Sequence, residues 1–487
     1  MNSRRLVTYG FISGLSWACI SANDATGQDR FRPLGGERSA WIALDGQDVN
    51  IADADGTTAL HWAALRNDAE SVARLIRSGA DVNAANDLGA TALWAASQNG
   101  SEEVVGSLLA AGANPNSALR HGETPLMAAS RSGSPAVVEA LLQSGANPSA
   151  TGPRDQTALM WAAAQGHSGV VAVLIEGGAG IHTRSAVRRM FMAQPPAPHP
   201  QHRGWFEHGG NTALLFAARA GDLASVRHLV AAGADVDGRS GWGLSALTLA
   251  AYSDFGPLVI EIRGTPFHIG GHEVYRRGSY KEVVKFLLEA GADPNAGAGQ
   301  FTALHAAIMR RDETTVGLLL SHGANPNLTL GAWTPLDRGS GTNYYFHRAW
   351  VGAPPVWLAA RFGTPDILRR LVEQGADPEY IHRGEHYTGG LGGELSEVRA
   401  EITSPLMAAV GMSQTGRSWV YQEPESDEYE AEILEKVRLF IELGVDLNAV
   451  NDRGLAALAG AISSEYDSVV ELLIASGAQE GPGRGPG

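Results

Sequence analysis

Cysteine is almost missing from this chain: Cys19 is the only one in 487 residues. A single thiol builds neither a disulfide framework nor a cysteine-rich zinc site. Lysine is nearly as scarce, with Lys281, Lys285 and Lys436 the only three among 37 basic residues. Net charge is −15 and no Lys/Arg run stands out, so no overall field draws nucleic acid. The apolar stretch from Leu6 to Ile20 is short for a membrane span. Catalytic signatures are lacking too: there is no Gly-x-Ser-x-Gly elbow, no Gly-rich loop ending in Gly-Lys-Ser/Thr, and no His-Glu-x-x-His.

What is present is a period. Thr58-Ala59-Leu60, Thr91-Ala92-Leu93, Thr124-Pro125-Leu126 and Thr157-Ala158-Leu159 follow one another at intervals of 33 residues. A Gly falls 21 residues after each Thr, at Gly79, Gly112, Gly145 and Gly178. Two markers with one period identify a repeat. Within the stretch Asp55 to Asn83, Thr58 is placed to cap a short helix carrying Leu60, Trp62, Ala63 and Ala64, which Asn67-Asp68 breaks. Val72, Leu75 and Ile76 then recur at helical spacing, and Gly79 follows where a left-handed residue ends a helix. The Asp/Asn/Gly-rich link to the next unit suits a tight hairpin. A helix pair of this size cannot bury its apolar faces alone, so the units must stack as a solenoid.

The elements TALHWAA, VARLI and GADVN resemble the ankyrin repeat, and the resemblance covers most of the chain. It implies an all-α solenoid of about eleven stacked helix-turn-helix units with hairpin fingers. It also implies a concave face of hairpins and first helices that binds other proteins.

At the N-terminus, Arg4-Arg5, the apolar stretch and the small residues Ser21-Ala22 read as a secretory signal over 1–22, so the chain is expected to be exported, periplasmic or secreted. Cys19 follows Ser16-Trp17-Ala18, a poor lipobox; a membrane link is expected only if Cys19 is lipidated. Residues 23–38 read as a linker, 39–52 as a partial capping repeat, and 53–178 as regular repeats. Residues 179–478 read as repeats with insertions at 181–208, 253–278, 334–352, 381–402 and 412–431, and 479–487 as a disordered tail. The later markers are Thr212, Ser245, Thr302, Pro354, Ser404 and Ala456. Thr334-Pro335-Leu336 looks like a marker but lacks a following Ala-Ala, and Asp155 stands where Gly56 and Gly89 stand in earlier hairpins.

Insertions of this length in a compact array are binding loops or tolerated drift. These carry Trp205, Phe206, Phe267, Tyr344, Tyr345 and Tyr387, too aromatic for solvated linkers. They also carry His199, His202, His208, His268, His272, His382 and His386. Gly270-Gly271 and Gly384 interrupt the two i, i+4 pairs, so a helix cannot hold both imidazoles on one face, and no metal or other cofactor is expected. The chain is read as a protein–protein interaction scaffold and not an enzyme. The alternative is an enzyme or metal-binding protein with a site among these insertions; an architectural spacer is a third reading. By register, counting the capping repeat as the first unit, the partner-binding residues expected on units six to nine are Arg219, Trp242, Tyr252, Phe301, Met309, Arg310, Trp350, Arg361 and Phe362. Arginine and large aromatics concentrate binding energy because they offer planar donors and rigid area. The expected partner is a protein, with no nucleic acid.

Overall fold

The computed structural model describes residues 48–193, 203–253, 258–262, 265–269, 280–297, 299, 301–332, 348–388, 397–412 and 426–483. The expected signal, the linker, Cys19, most of the capping repeat, Thr334-Pro335-Leu336 and residues 484–487 lie outside them. Ten helix pairs follow one another, as units two to eleven. They are α1 (Ala59–Leu65) with α2 (Ala69–Arg77), α3 (Ala92–Asn99) with α4 (Glu102–Ala110), and α5 (Pro125–Ser132) with α6 (Pro135–Gln143). Next come α7 (Ala158–Gln165) with α8 (Ser168–Glu176), α9 (Ala213–Ala220) with α10 (Leu223–Ala231), and α11 (Ala246–Ser253) with α12 (Tyr280–Glu289). The last four are α13 (Ala303–Met309) with α14 (Glu313–Ser321), α15 (Pro355–Phe362) with α16 (Pro365–Glu373), α17 (Pro405–Ala409) with α18 (Ser426–Glu442), and α19 (Ala457–Ser463) with α20 (Asp467–Ala475). The pairs belong to two compact bodies, one holding 48–153 and the other the pairs from residue 154 onward. Within each, first helices stack on first helices and second on second.

The marker residues do the work expected of them. Thr91, Thr124, Thr157 and Thr212 each accept from the backbone N–H three residues on, at 3.2 to 3.4 Å. In α1 and α13 the histidine of TALH takes over. The N–H of Thr58 donates to His61 Nδ1 at 3.1 Å, and Nε2 carries the proton it gives to the Ala90 carbonyl of the next unit at 2.9 Å. Burial holds His61 below the usual histidine range and pushes the equivalent His305 down to about 4, so His305 is neutral at ordinary pH. An alanine stands five residues after every marker, from Ala63 to Ala461, and each is buried. A larger side chain there would hold the stacked helices apart.

Asn50, Asn83, Asn116, Asn295, Asn327 and Asn448 each join one finger to the next. In every case the side-chain amide donates to the carbonyl of the next unit's glycine, and its oxygen accepts the N–H two residues beyond that glycine. A carboxylate cannot do both. Asp237 accepts from Asp293 N–H at 2.8 Å and has no proton to return.

A second row of bonds closes the opposite ends of the first helices, whose last carbonyls lack partners of their own. Asn99 donates to Leu65 O at 2.7 Å and Ser132 to Ser97 O at 3.1 Å. Tyr280 reaches Arg219 O, Arg310 reaches Ala251 O, Lys436 reaches Ala360 O and Ser464 reaches Val410 O. The finger row repeats one residue type; this row uses five.

Three insertions hold antiparallel hairpins: β1 (Arg188–Ala193) with β2 (Arg203–His208), β3 (Leu258–Ile262) with β4 (Thr265–Ile269), and β5 (His382–Thr388) with β6 (Glu397–Thr403). Among the described residues, strands occur only in insertions, as a mainly helical array requires. Helix α18, starting at Ser426 inside the expected insertion 412–431, has 17 residues where other second helices have nine or ten. Asp155 adopts the left-handed conformation of the glycines it replaces, with φ of 53° against 83° at Gly56. Residues 479–483, expected in a disordered tail, run beside the last finger, with Ala456 N–H on Glu480 O and Gly483 N–H on Gly454 O.

If the asparagine row holds neighbouring units together, Asn116→Ala should lower unfolding free energy by about 1–2 kcal/mol, the worth of two partly exposed hydrogen bonds. Asn116→Asp keeps the acceptor and should lose less. Urea melts measure both, and equal losses would show that the donated proton contributes nothing.

Candidate functional site

The nine residues expected to meet a partner divide by burial. Arg219, Trp242, Tyr252, Arg310 and Arg361 are half-buried, whereas Phe301, Met309, Trp350 and Phe362 are buried. Phe301, expected at an exposed fingertip, has no exposed surface. Its ring lies between Trp242, 5.8 Å away and edge-on, and Tyr252, 5.7 Å away. Trp350, also expected at a fingertip, belongs to the single turn Arg348–Trp350, which folds onto α15 so that its ring meets Phe362 at 4.6 Å. Met309 sits at the end of α13 among residues of the stack. Marker spacing finds these positions but cannot show which way a ring turns when an insertion covers it. The aromatics at 301, 350 and 362 are therefore core residues, and the assignment of Phe301 to a surface outside the stacking core is corrected.

The hairpin β5–β6 is the cover over Trp350. His382 Nε2 lies 2.7 Å from Ala349 O, and the imidazole packs on Trp357 at 4.8 Å. Trp357 in turn donates Nε1–H to Thr403 Oγ1 at 3.0 Å. Gly384 comes so close that a Cβ would overlap the Ala349 carbonyl oxygen. Burial holds His382 below the usual histidine range. His382 and His386 lie on a strand, and no three His, Cys, Asp or Glu side chains converge as metal ligands among the described residues.

The arginines are partly committed within the array. Arg310 donates to Ala251 O at 2.9 Å, and Arg361 donates to Tyr429 Oη at 3.1 Å while lying over the Phe362 ring at 5.3 Å. Tyr429 comes from the lengthened start of α18, which also brings Glu432 and Lys436. Arg311, in a left-handed conformation at φ 56°, pairs with Glu432. Lys436 is buried, with Nζ 3.2 Å from the Ala360 carbonyl at the end of α15. Burial pushes its ammonium down to about 7, opposed by Glu432 and helped by Arg311 and Arg361. Sequence reasoning singled out Lys436 only as one of three lysines. The signal available was its place on the buried side of a helix, four residues after Glu432.

Trp242 and Tyr252 are therefore half-exposed rings resting on the buried Phe301, carried by repeated helix pairs and their fingers. The model for ankyrin repeats (3 copies) matches residues 38–119, 108–185 and 272–382, and the single ankyrin repeat matches 209–240. The chain belongs to the ankyrin-repeat family. Ankyrin repeat and MYND domain-containing protein 1 of Mus musculus is 28% identical over 213 residues, 38% of this chain and 21% of the relative. Its Homo sapiens counterpart is 26% identical over 206 residues, 39% and 18% respectively. A putative ankyrin repeat-containing protein of Treponema pallidum is 49% identical over 49 residues, 10% and 16%. The chain thus spans about a fifth or less of the length of these curated relatives. Membership supports an ankyrin-repeat scaffold for protein interaction.

The lysine supplies a test of the site's electrostatics. Its folded value lies below the 10.5 of the unfolded chain, so between about pH 7 and 10.5 the unfolded state holds a proton that the folded state lacks. Its contribution to stability should therefore rise with pH across that window. Lys436→Met should lose that part of the pH dependence, so its stability relative to the parent should fall between pH 7 and 9.5. Parallel melts at pH 7 and 9.5 check this; parallel pH curves for the two proteins would contradict it.

Proposed function

We propose that this ankyrin-repeat scaffold holds a protein partner on the face carried by units six to nine, with Trp242 and Tyr252 as its apolar anchors. The observation that carries this reading is the placement of both rings against Phe301, at 5.8 and 5.7 Å, with each still half-exposed. A ring already held by packing loses little freedom when it meets a partner, so more of its contact energy becomes affinity. Trp and Tyr also carry a polar atom at the edge of an apolar body, which suits a rim that is partly wet. Arg219 adds a half-buried guanidinium in the neighbouring unit, while Arg310 and Arg361, engaged with Ala251 O and Tyr429, stiffen the surface.

The burial of Phe301 decides how to test this. Phe301→Ala would empty a packed position and cost about 3–5 kcal/mol of stability, confusing binding with folding. The informative variant is Trp242→Ala with Tyr252→Ala, compared with Arg66→Ala and Arg131→Ala in the earlier units. For a partner recovered on the intact chain, the double variant should bind more than about tenfold more weakly, with an unchanged circular dichroism spectrum. Normal binding by the double variant, with loss in either early variant, would place the partner on the other body.

A further inference from the structure

The first long finger differs in charge from the rest of the chain. Between residues 182 and 210 it carries Arg184, Arg188, Arg189 and Arg203 against Glu207 alone, within a chain of net charge −15. The later hairpin has the opposite balance: Arg383 and Arg399 stand against Glu385, Glu394, Glu397 and Glu401. The basic character therefore belongs to this finger and not to hairpin insertions in general.

Its neighbours extend the basic surface. Ala186 N–H donates to Arg154 O and Gly241 N–H to Gly209 O, both at 2.8 Å, so three successive fingers are tied at the base of β1–β2. Arg184 Nη1 reinforces the junction through Gly210 O at 2.9 Å and Arg239 O at 2.5 Å. Arg154, Arg188, Arg189 and Arg239 are all exposed along this comb.

The strands themselves supply the second observation. The sheet has two strands, so β1 and β2 each keep one backbone edge without a strand partner among the described residues. Consecutive cross-strand pairs, Met190 with Phe206 and Phe191 with Trp205, are both apolar. Consecutive pairs of a two-stranded ribbon alternate between its two faces. An open edge, apolar positions on both faces and arginines at the base match a third strand with apolar and acidic residues.

We propose that β1–β2 and the flanking arginines Arg154 and Arg239 dock an extended acidic segment of another protein, which adds to the hairpin as a strand. Backbone hydrogen bonds from the open edge would hold the segment, and the arginines would select its charge. A bilayer is disfavoured because residues 194–202, Gln-Pro-Pro-Ala-Pro-His-Pro-Gln-His, offer no large apolar side chain to insert. A long nucleic acid is disfavoured because it would lie against a chain of strongly negative net charge. This surface meets the aromatic anchor Trp242 of unit seven only at the finger base, where the neighbouring Gly241 is bonded to Gly209.

The test uses the intact chain and a fluorescein-labelled peptide of alternating Glu and Val or Tyr, read by fluorescence anisotropy at low salt. Saturable binding is expected. It should weaken at least about tenfold in the variant with Arg188→Glu, Arg189→Glu and Arg239→Glu, and fall as salt rises. A peptide methylated on alternate backbone nitrogens should also bind at least about tenfold more weakly, which separates strand addition from attraction of charge alone. If the charge-reversed protein loses its helical spectrum, Arg188→Gln with Arg189→Gln replaces it. No binding, equal binding of the methylated peptide, or arginine-dependent binding only of a thymidine oligonucleotide or phosphatidylglycerol vesicles would each overturn the proposal.

Discussion

The array depends on a side-chain amide that bonds the next unit twice. Asn83 illustrates it: Nδ2 donates to Gly112 O and Oδ1 accepts from Asn114 N–H. Each bond is modest and partly exposed, yet together they fix the distance and the rotation between neighbouring fingers. Helices mostly of seven to ten residues are too short to be stable alone. The apolar surface that stabilises them becomes buried only when the next pair arrives in register. The amide sets that register, and alanines such as Ala96 and Ala129 let the helices close on each other. In the last described unit the equivalent surface shows: Ile462 is 43% exposed, while Ala64, Ser97 and Ser130 at the same place in earlier units are buried.

The second row of bonds meets a more general demand, and this leaves room for variation. A helix-end carbonyl accepts a proton from any suitable donor, so asparagine, serine, tyrosine, arginine and lysine all serve. The cost of that freedom appears at Lys436. The first helix of its unit, α17, is only five residues long, and the donor to Ala360 O comes from the lengthened α18 instead. A buried ammonium beside Glu432, Arg311 and Arg361 closes the helix end and makes this part of the stack sensitive to pH. The same demand draws Arg310 inward, which is why a residue on the expected binding face is partly spent on holding its own array.

The repeat was legible in the sequence because its signals are local. Thr at a helix start, Gly in a left-handed turn and Ala at a close contact each follow from the backbone at one position. The gaps between markers likewise located the insertions, and three of them hold hairpins. Side-chain direction near those insertions was not legible. Trp350 and Phe301 occupy fingertip positions, but Trp350 is covered by β5–β6 and Phe301 by the rings of Trp242 and Tyr252. Burial there depends on contacts between segments far apart in the chain, which no spacing rule encodes. The same is true of Lys436, whose partner carbonyl is 76 residues away.

The proposed function rests on this division of labour: buried aromatics underlie the later units, and the half-exposed rings of Trp242 and Tyr252 rest on one of them. Site-specific photocrosslinking in the native compartment tests it most directly. A photoreactive residue replacing Trp242 or Tyr252 should form covalent adducts with one protein partner, while the same residue at Arg227 or Arg369, exposed on second helices of the array, should form none. Adducts from positions 227 and 369, with none from 242 and 252, would contradict the account.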